Sequence, residues 1–444
     1  MLIPVIPVMV DILCCYAPSG IQAGTGDCKQ KKITKVASGA TGSFDSKYPT
    51  AFLRIDQEEV QCRHIFVTKQ YNNLLGKIAM RIAVLTGGGD CPGLNGAIKW
   101  VTKTALDPLL GKKRSVQFDV IGIKDGWKGL VEVDPESPES LARHTMKLDE
   151  EIVRTWDRYG GTNLGTSRTN PFNPKKDAQA VVMENIARLG IDVIVAIGGE
   201  DTLGVAAKLH GLGIRTIGIP KTIDGDLVGT DYSLGFDSAV NIIMEEIDRL
   251  RTTAGSHNRI FVVETMGRHA GWLALHGGEC SGAYIILIPE YPFDMERVCA
   301  LLEERRGREV QYSIIVVSEG ATMTINREFC KDNKVDEFGH RSLGGIAAYI
   351  AKEIEGKTGL ETRHVMLSHL QRGGSPSARD RLMARWFGIA AVDMIVNEDF
   401  GRMVSYRHGE ITSVSMKDVT DHLNLIDVDK YYDTERYNGK RSIL

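Results

Sequence analysis

A chain of 444 residues is too long for one ordinary domain, so two or more packed cores are expected. Hydrophobic residues make up 43% and charged residues 25%, the balance of a soluble globular protein. A net charge of -3 and a pI near 6.4 give no basic footprint, which argues against nucleic acid or an anionic membrane as partner. Eight cysteines without CxxC pairs or regular spacing do not make a disulfide framework; thiols in a reducing cytosol are the simplest account.

The first 79 residues differ from the remainder of the chain. Met1 to Tyr16 is apolar but broken by Pro4 and Pro7, carries Asp11, is too short to span a bilayer and lacks the basic start of a signal peptide. Residues 17–79 show no sustained helical or strand period, and the whole of 1–79 holds half of the cysteines. With Met80 directly before the first convincing strand, 1–79 reads as an N-terminal extension, poorly ordered or outside the fold; a targeting segment is the lesser reading.

Arg81 to Thr86 is a short apolar run, followed at once by Gly87-Gly88-Gly89-Asp90-Cys91-Pro92-Gly93-Leu94-Asn95 and then a helical pattern from Gly96 with Ile98, Val101 and Ala105 on one face. Strand, glycine turn and helix aim backbone N–H groups at an anion, and a side chain in the turn would hold a phosphate away. A plain tight turn has the same look. Val120 to Ile123 is a second strand, leading to Trp127, which either stacks on a nucleotide base or belongs to the core. Gly160 to Arg168 is another polar glycine loop, ending in a cation.

Ala178 to Leu189 reads as an amphipathic helix and Asp192 to Ile197 as a buried strand that ends in Gly198-Gly199-Glu200-Asp201-Thr202. Two carboxylates there suit an Mg²⁺ that carries phosphate oxygens, and equally suit plain helix caps. Ile214 to Ile219 is a strand opening into Ile219-Pro220-Lys221-Thr222-Ile223-Asp224-Gly225-Asp226. In that turn Asp224 can take a proton while Asp226 orients it or faces a metal, with Lys221 as a fixed positive charge; a solvated surface turn is the bland alternative.

Ser238 to Leu250 is a helix with Val240, Ile243, Met244, Ile247 and Leu250 inward, and Ile260 to Glu264 a strand opening into Met266-Gly267-Arg268-His269-Ala270-Gly271. Ala283 to Pro289 is a strand ending at Glu290, Tyr312 to Val317 another ending at Glu319, residues 321–342 a polar surface insertion, and Leu343 to Ile354 a helix. Val365 to Leu367 leads into Ser368-His369-Leu370-Gln371-Arg372-Gly373-Gly374, a candidate clamp for a sugar phosphate. Beyond Ile395 the sequence says little. The alternation predicts an α/β fold with parallel sheets covered on both faces and ligands at the strands' carboxyl ends. Gly356-Lys357-Thr358 imitates a Walker A tail but closes a helix rather than opening one, and neither a GxGxxG fingerprint nor HExxH is present.

In order, the strings GGGDCPGLN, GGTNLGTSR, GGEDT, PKTIDGD, GTDYSLGFD, MGRHAG, IPE and HLQRGG make the chain from Met80 to about residue 420 resemble the phosphofructokinase family. The resemblance implies two doubly wound three-layer α/β domains with the active site in the cleft between them: 80–234 plus 371–420 for the phosphoryl donor, 235–370 for fructose 6-phosphate, and 421–444 as a tail. It implies Asp224 as the base toward the sugar 1-hydroxyl, with Lys221, Asp201 and Arg268 completing the catalytic set, and Gly89, Arg168, Asp201 and Lys221 binding the donor. Thr222, Ile223, Asp224, Met266, Gly267, Arg268, Glu290, His369, Leu370, Gln371 and Arg372 are implied to hold the sugar phosphate, and Arg259 and Arg363 to reach in from a neighbouring subunit of a homodimer or homotetramer. Glu200 stands where many members have Asp as the magnesium ligand, one methylene shorter.

ATP-using relatives carry glycine at the positions of Asp201 and Lys221, so the resemblance leans to the pyrophosphate-dependent branch. Unit charges about 4 Å apart interact by roughly 4 kcal/mol at an effective dielectric of about 20. Aspartate where an α-phosphate would lie therefore opposes ATP, while lysine neutralises the phosphate that leaves pyrophosphate. Rival readings are the same reaction with ATP, a non-catalytic subunit that binds sugar phosphate, and a lipid or dinucleotide kinase.

Overall fold

Two mainly parallel β-sheets with helices packed around them carry the chain. The computed structural model describes residues 79–109, 117–324, 330–335, 338, 341–420 and 422–442. The expected N-terminal extension, apart from its last residue, lies outside the described residues, as does part of the expected 321–342 insertion.

The first sheet has seven strands: β1 (Met80–Thr86), β2 (Phe118–Ile123), β3 (Thr145–Lys147), β4 (Val193–Gly198), β5 (Thr216–Pro220), β12 (Arg402–Arg407) and β13 (Glu410–Ser415), in the order β13-β12-β5-β4-β1-β2-β3. Its five central strands are parallel, and the two edge strands β3 and β13 are antiparallel to their neighbours. The second sheet is wholly parallel, with β6 (Ile260–Thr265), β7 (Ile285–Leu287), β8 (Ser313–Ser318) and β11 (Thr362–Met366) in the order β11-β6-β8-β7. Every residue of β4, β5, β6, β7 and β8 is buried, the continuous apolar pattern of strands covered on both faces rather than the alternation of a half-exposed sheet.

Helix α1 (Leu94–Ala105) buries Leu94, Ile98, Val101 and Ala105, as its periodicity predicts. It is crossed by a helix with no clear sequence signal, Ala378–Val396, which approaches closely because Gly388 has no side chain to meet Trp100 and Gly96 none to meet Ala384. Gln179–Arg188 and Glu200–Gly211 follow as expected, and Phe236–His257 runs nearly two turns past the expected end before Asn258 stops it in the left-handed conformation.

Within the expected insertion, β9 (Cys330–Val335) and β10 (Arg341–Leu343) pair as an antiparallel hairpin, invisible as a period because CKDNKV has no apolar alternation. The C-terminal segment packs on the second sheet: the Tyr432 hydroxyl donates to Ile286 O at 2.6 Å and Ile286 N to Tyr437 O at 2.7 Å. Gly356-Lys357-Thr358 lies in the last turn of Ile346–Thr358, with Lys357 ion-paired to Glu296, so it does not form a phosphate loop. Among the described residues no helix is long and apolar enough to cross a membrane.

Candidate active site

The glycine turn after β1, the loop 160–168, the start of helix Glu200–Gly211 and the turn after β5 meet at the carboxyl ends of β1, β4 and β5. Their union is a cleft lined by Gly88, Gly89, Asp90, Arg168, Gly199 to Thr202, Lys221 to Asp224, Asp226, Arg268 and Arg372. The loop 160–168 is laced to the β1 turn: Gly88 N donates to Ser167 O at 3.1 Å, the Thr166 hydroxyl to Gly88 O at 2.7 Å, and the Thr86 hydroxyl to Gly165 O at 2.7 Å. Its cation, Arg168, therefore faces the cleft rather than solvent alone.

The glycines serve packing more than anion approach. A side chain at Gly87 or Gly198 would collide with Thr202, and one at Gly89 with the Arg372 guanidinium. Because Gly87 and Gly88 give their amides to Ile197 and Ser167, the amides of this turn left for an anion begin at Gly89.

Lys221 is only 4% exposed, its backbone N donates to Gly198 O at 3.0 Å and its ammonium to Gly89 O at 2.5 Å. Burial pulls its pKa below the usual range, and the charge of Arg372 adds to the shift. Glu200 and Asp201 occupy the first turn of their helix, whose N-cap is Gly199, so neither serves as the cap; both line the cleft. Asp201 and Lys221 thus share one cavity.

Asp224 is 7% exposed and its Oδ1 is buried without a hydrogen bond. The turn places it: Asp224 N donates to the Thr222 hydroxyl at 3.1 Å, and the Ser233 hydroxyl holds Thr222 O at 2.7 Å. Burial first, and the neighbouring Asp224 charge second, push Asp226 up to about 7, so the pair carries a proton into the neutral range. A feature without any sequence signal fixes this loop from behind. Asn424 N donates to Asp226 O at 2.7 Å, Asn424 Nδ2 to Gly225 O at 2.9 Å, and the Trp272 indole holds Asn424 O at 2.8 Å.

On the second sheet, Arg268 and Ser368 both adopt left-handed backbone, φ 48° and 43°, where a non-glycine residue is strained. Arg268 reaches the cleft, and its carbonyl lies where a side chain at Gly320 would go. Arg372 reaches the cleft from the end of the segment Ser368–Arg372.

Several expected substrate residues lie elsewhere. Gln371 is fully buried, accepting from Met266 N at 3.3 Å and donating to Ser368 O at 3.1 Å, so it shapes the loop of Met266 and Gly267 and does not line the cleft. Glu290 Oε1 accepts from Gly271 N at 2.9 Å and Ile426 N at 3.0 Å; it ties the start of helix Trp272–Cys280 to the C-terminal segment and does not line the cleft. Leu370 and His369 are exposed, with His369 Nδ1 3.1 Å from the Ser368 hydroxyl. Arg259 and Arg363 sit side by side on Glu361, at 2.8 and 2.6 Å, by the amino ends of β6 and β11. Six strand residues at about 3.3 Å each separate them from the carboxyl-end cleft. Trp127 is 1% exposed in the core beside β1 and cannot stack on a ligand.

The phosphofructokinase family profile matches residues 81–395. The chain belongs to the phosphofructokinase family. It is 44% identical over 360 residues to a protein of Amycolatopsis methanolica named pyrophosphate–fructose 6-phosphate 1-phosphotransferase, covering 81% of this chain and 100% of the relative. It is 40% identical over 356 residues to one of Streptomyces coelicolor named ATP-dependent 6-phosphofructokinase 3, covering 80% and 99%. Among solved structures, the phosphofructokinase of Saccharomyces cerevisiae superposes with a TM-score of 0.62 at 28% identity, covering 77% of this chain and 45% of the yeast one, so this phosphofructokinase spans less than half of that longer polypeptide.

Proposed function

We propose that this protein transfers a phosphoryl group reversibly from pyrophosphate to the 1-hydroxyl of fructose 6-phosphate, giving fructose 1,6-bisphosphate and phosphate, as a cytoplasmic enzyme of glycolysis or gluconeogenesis. The observation that carries the choice of donor is the presence of Asp201 and Lys221 in one cleft. A nucleotide's inner phosphate beside the Asp201 carboxylate meets like charge worth about 4 kcal/mol at about 4 Å and an effective dielectric of about 20. Pyrophosphate has no inner substituent to place there, and Lys221 offers it a buried cation. The pyrophosphate-named relative at 44% identity supports this reading over the ATP-named one at 40%.

In the forward direction the Asp224 carboxylate takes the proton from the sugar O1, O1 bonds to the terminal phosphorus, the bridging P–O bond breaks, and phosphate departs beside Lys221. The unpartnered Asp224 Oδ1 has no competing donor, which suits a base. Arg168, Arg268 and Arg372 are suited to the phosphoryl oxygens and the sugar phosphate.

The cleft also fits magnesium. Among the described residues no cluster of three protein ligands forms a cage, but Mg²⁺ characteristically takes one or two carboxylates plus substrate phosphates. Glu200, with Asp201 beside it, would hold it, and the ion would neutralise charge on the pyrophosphate oxygens. We assign residues 80–234 with 371–420 to the donor side and 235–370 to the sugar side. The distance of Arg259 and Arg363 from their own cleft supports a homodimer or homotetramer in which each pair serves a neighbour.

A coupled assay of fructose 1,6-bisphosphate formation with each donor tests the reading. Turnover with pyrophosphate and none with ATP is expected; turnover with ATP alone would refute it.

A further inference from the structure

The string from Gly229 to Asp237, GTDYSLGFD, lines none of the cleft, yet its middle residues grip the catalytic turn from behind. The Ser233 hydroxyl donates to Thr222 O at 2.7 Å, Leu234 N donates to Pro220 O at 3.1 Å, and Leu234 pairs with Lys221 as a parallel bridge. Leu234 O in turn accepts from the Cys91 thiol at 3.4 Å, which joins the same two residues to the glycine turn after β1. The turn that carries Lys221 and Asp224 therefore leans on Ser233 and Leu234.

One carboxylate brackets those two residues. Asp380 Oδ1 accepts from the Tyr232 hydroxyl and from Gly235 N, both at 2.8 Å, and Oδ2 accepts from Ser238 N at 3.0 Å and the Ser238 hydroxyl at 2.6 Å. Asp380 is fully buried, and its four donors are a phenol, two amides and an alcohol, with no cation among them. A buried carboxylate is costly to keep unless every oxygen is satisfied, and here the donors that satisfy it are the two residues flanking Ser233 and Leu234 and the first turn of the following helix. The bracket has little slack, because Gly235 stands at φ 96° and a side chain there would collide with Cys91.

From this chain of contacts we infer that Asp380 is a positioning residue for phosphoryl transfer. Through Tyr232 and Gly235 it fixes the segment 232–235, and that segment fixes where Lys221 and Asp224 stand in the cleft. Asp380 itself lines no part of the cleft, so it acts through the turn and not on a ligand. The inference rests on the reading of Asp224 as the base and does not depend on which donor the enzyme uses.

Steady-state kinetics of the full-length protein, with the donor that the wild type uses, test it. Asp380→Asn is expected to lower kcat at least tenfold with KM for fructose 6-phosphate within twofold, since a small displacement of the turn costs rate before affinity. That variant turns a donor toward the Ser238 amide, so Tyr232→Phe, which removes one hydroxyl and keeps the ring, carries the decision where Asp380→Asn fails to fold. Tyr232→Phe and Ser233→Ala should each lower kcat about tenfold at unchanged KM. The double variant should fall about as far as either alone, because both act on the turn through one chain of contacts. Tyr284→Phe, which strips a half-buried phenol from Leu301 O on the second sheet, should leave kcat unchanged. An unaltered kcat in folded Tyr232→Phe, single losses that multiply in the double variant, or an equal fall in Tyr284→Phe would each overturn the assignment. Asp224→Asn, measured beside them, separates two failures: lost turnover there with none lost in Tyr232→Phe sinks the positioning role alone, whereas full turnover there sinks the base.

Discussion

Asp224 and Asp226 stand two residues apart in a buried turn, and they share one problem: two carboxylates in low dielectric cannot both ionise freely. Asp226 bears the cost, raised to about 7 by burial and by Asp224. Its folded pKa lies above its unfolded value of 3.8, so its contribution to stability is fully present below that value and is lost as pH rises through about 7. Replacing it by a neutral isostere removes the penalty that the wild type meets at high pH. Asp226→Asn should therefore raise the melting temperature at pH 8, with the gain shrinking steadily toward pH 4. A gain that is uniform across that range, or largest in acid, would show that the pair is not coupled through burial.

At the scale of elements, the catalytic turn owes its shape to a strap from the far end of the chain. Leu423 bridges Leu227, and Asn424 holds Gly225 and Asp226 from the side opposite the cleft. Asn424→Ala keeps the backbone bond to Asp226 but frees Gly225 O. We expect kcat to fall about tenfold with little change in KM, since a small displacement of a catalytic group costs rate before it costs affinity. Steady-state kinetics decide it; an unchanged kcat would mean that the turn holds itself. The turn was legible in the sequence because Lys221, Thr222, Asp224 and Asp226 are unusual residues to find packed behind a buried apolar strand. The strap was not, because Asn424 acts chiefly through main-chain groups and one short side chain, which leave no pattern. Neither did Asp380 announce itself, although this fully buried carboxylate accepts from the Tyr232 hydroxyl, Gly235 N, and the amide and hydroxyl of Ser238, joining two helix starts. The hairpin of β12 and β13 turns tightly, with His408 and Gly409 both at positive φ, but it lies beyond Ile395, where the sequence says little. Glu290 and Gln371 are expected as ligands from the resemblance and from the clamp string, but Glu290 Oε1 and the Gln371 amide already bond within the protein, holding loops beside the cleft.

For the whole molecule, the sheets order two cation sets at opposite ends of β6: Arg268 at the cleft, and Arg259 with Arg363 some six residues away on Glu361. If the second set completes a neighbour's site, two inactive variants should rescue each other. Arg363→Ala and Asp224→Ala subunits, unfolded and refolded together, are expected to regain activity that neither shows alone, because some sites then combine an intact Asp224 with an intact Arg363. Failure of mixed oligomers to gain activity would confine each site to one chain. The central claim concerns the donor pocket, where Asp201 and Lys221 meet. Its most direct measurement is the ATP-dependent turnover of the double variant Asp201→Gly, Lys221→Gly. The account predicts that this protein gains ATP turnover and loses most of its pyrophosphate turnover; a variant that still ignores ATP, or that keeps full pyrophosphate activity, would contradict it.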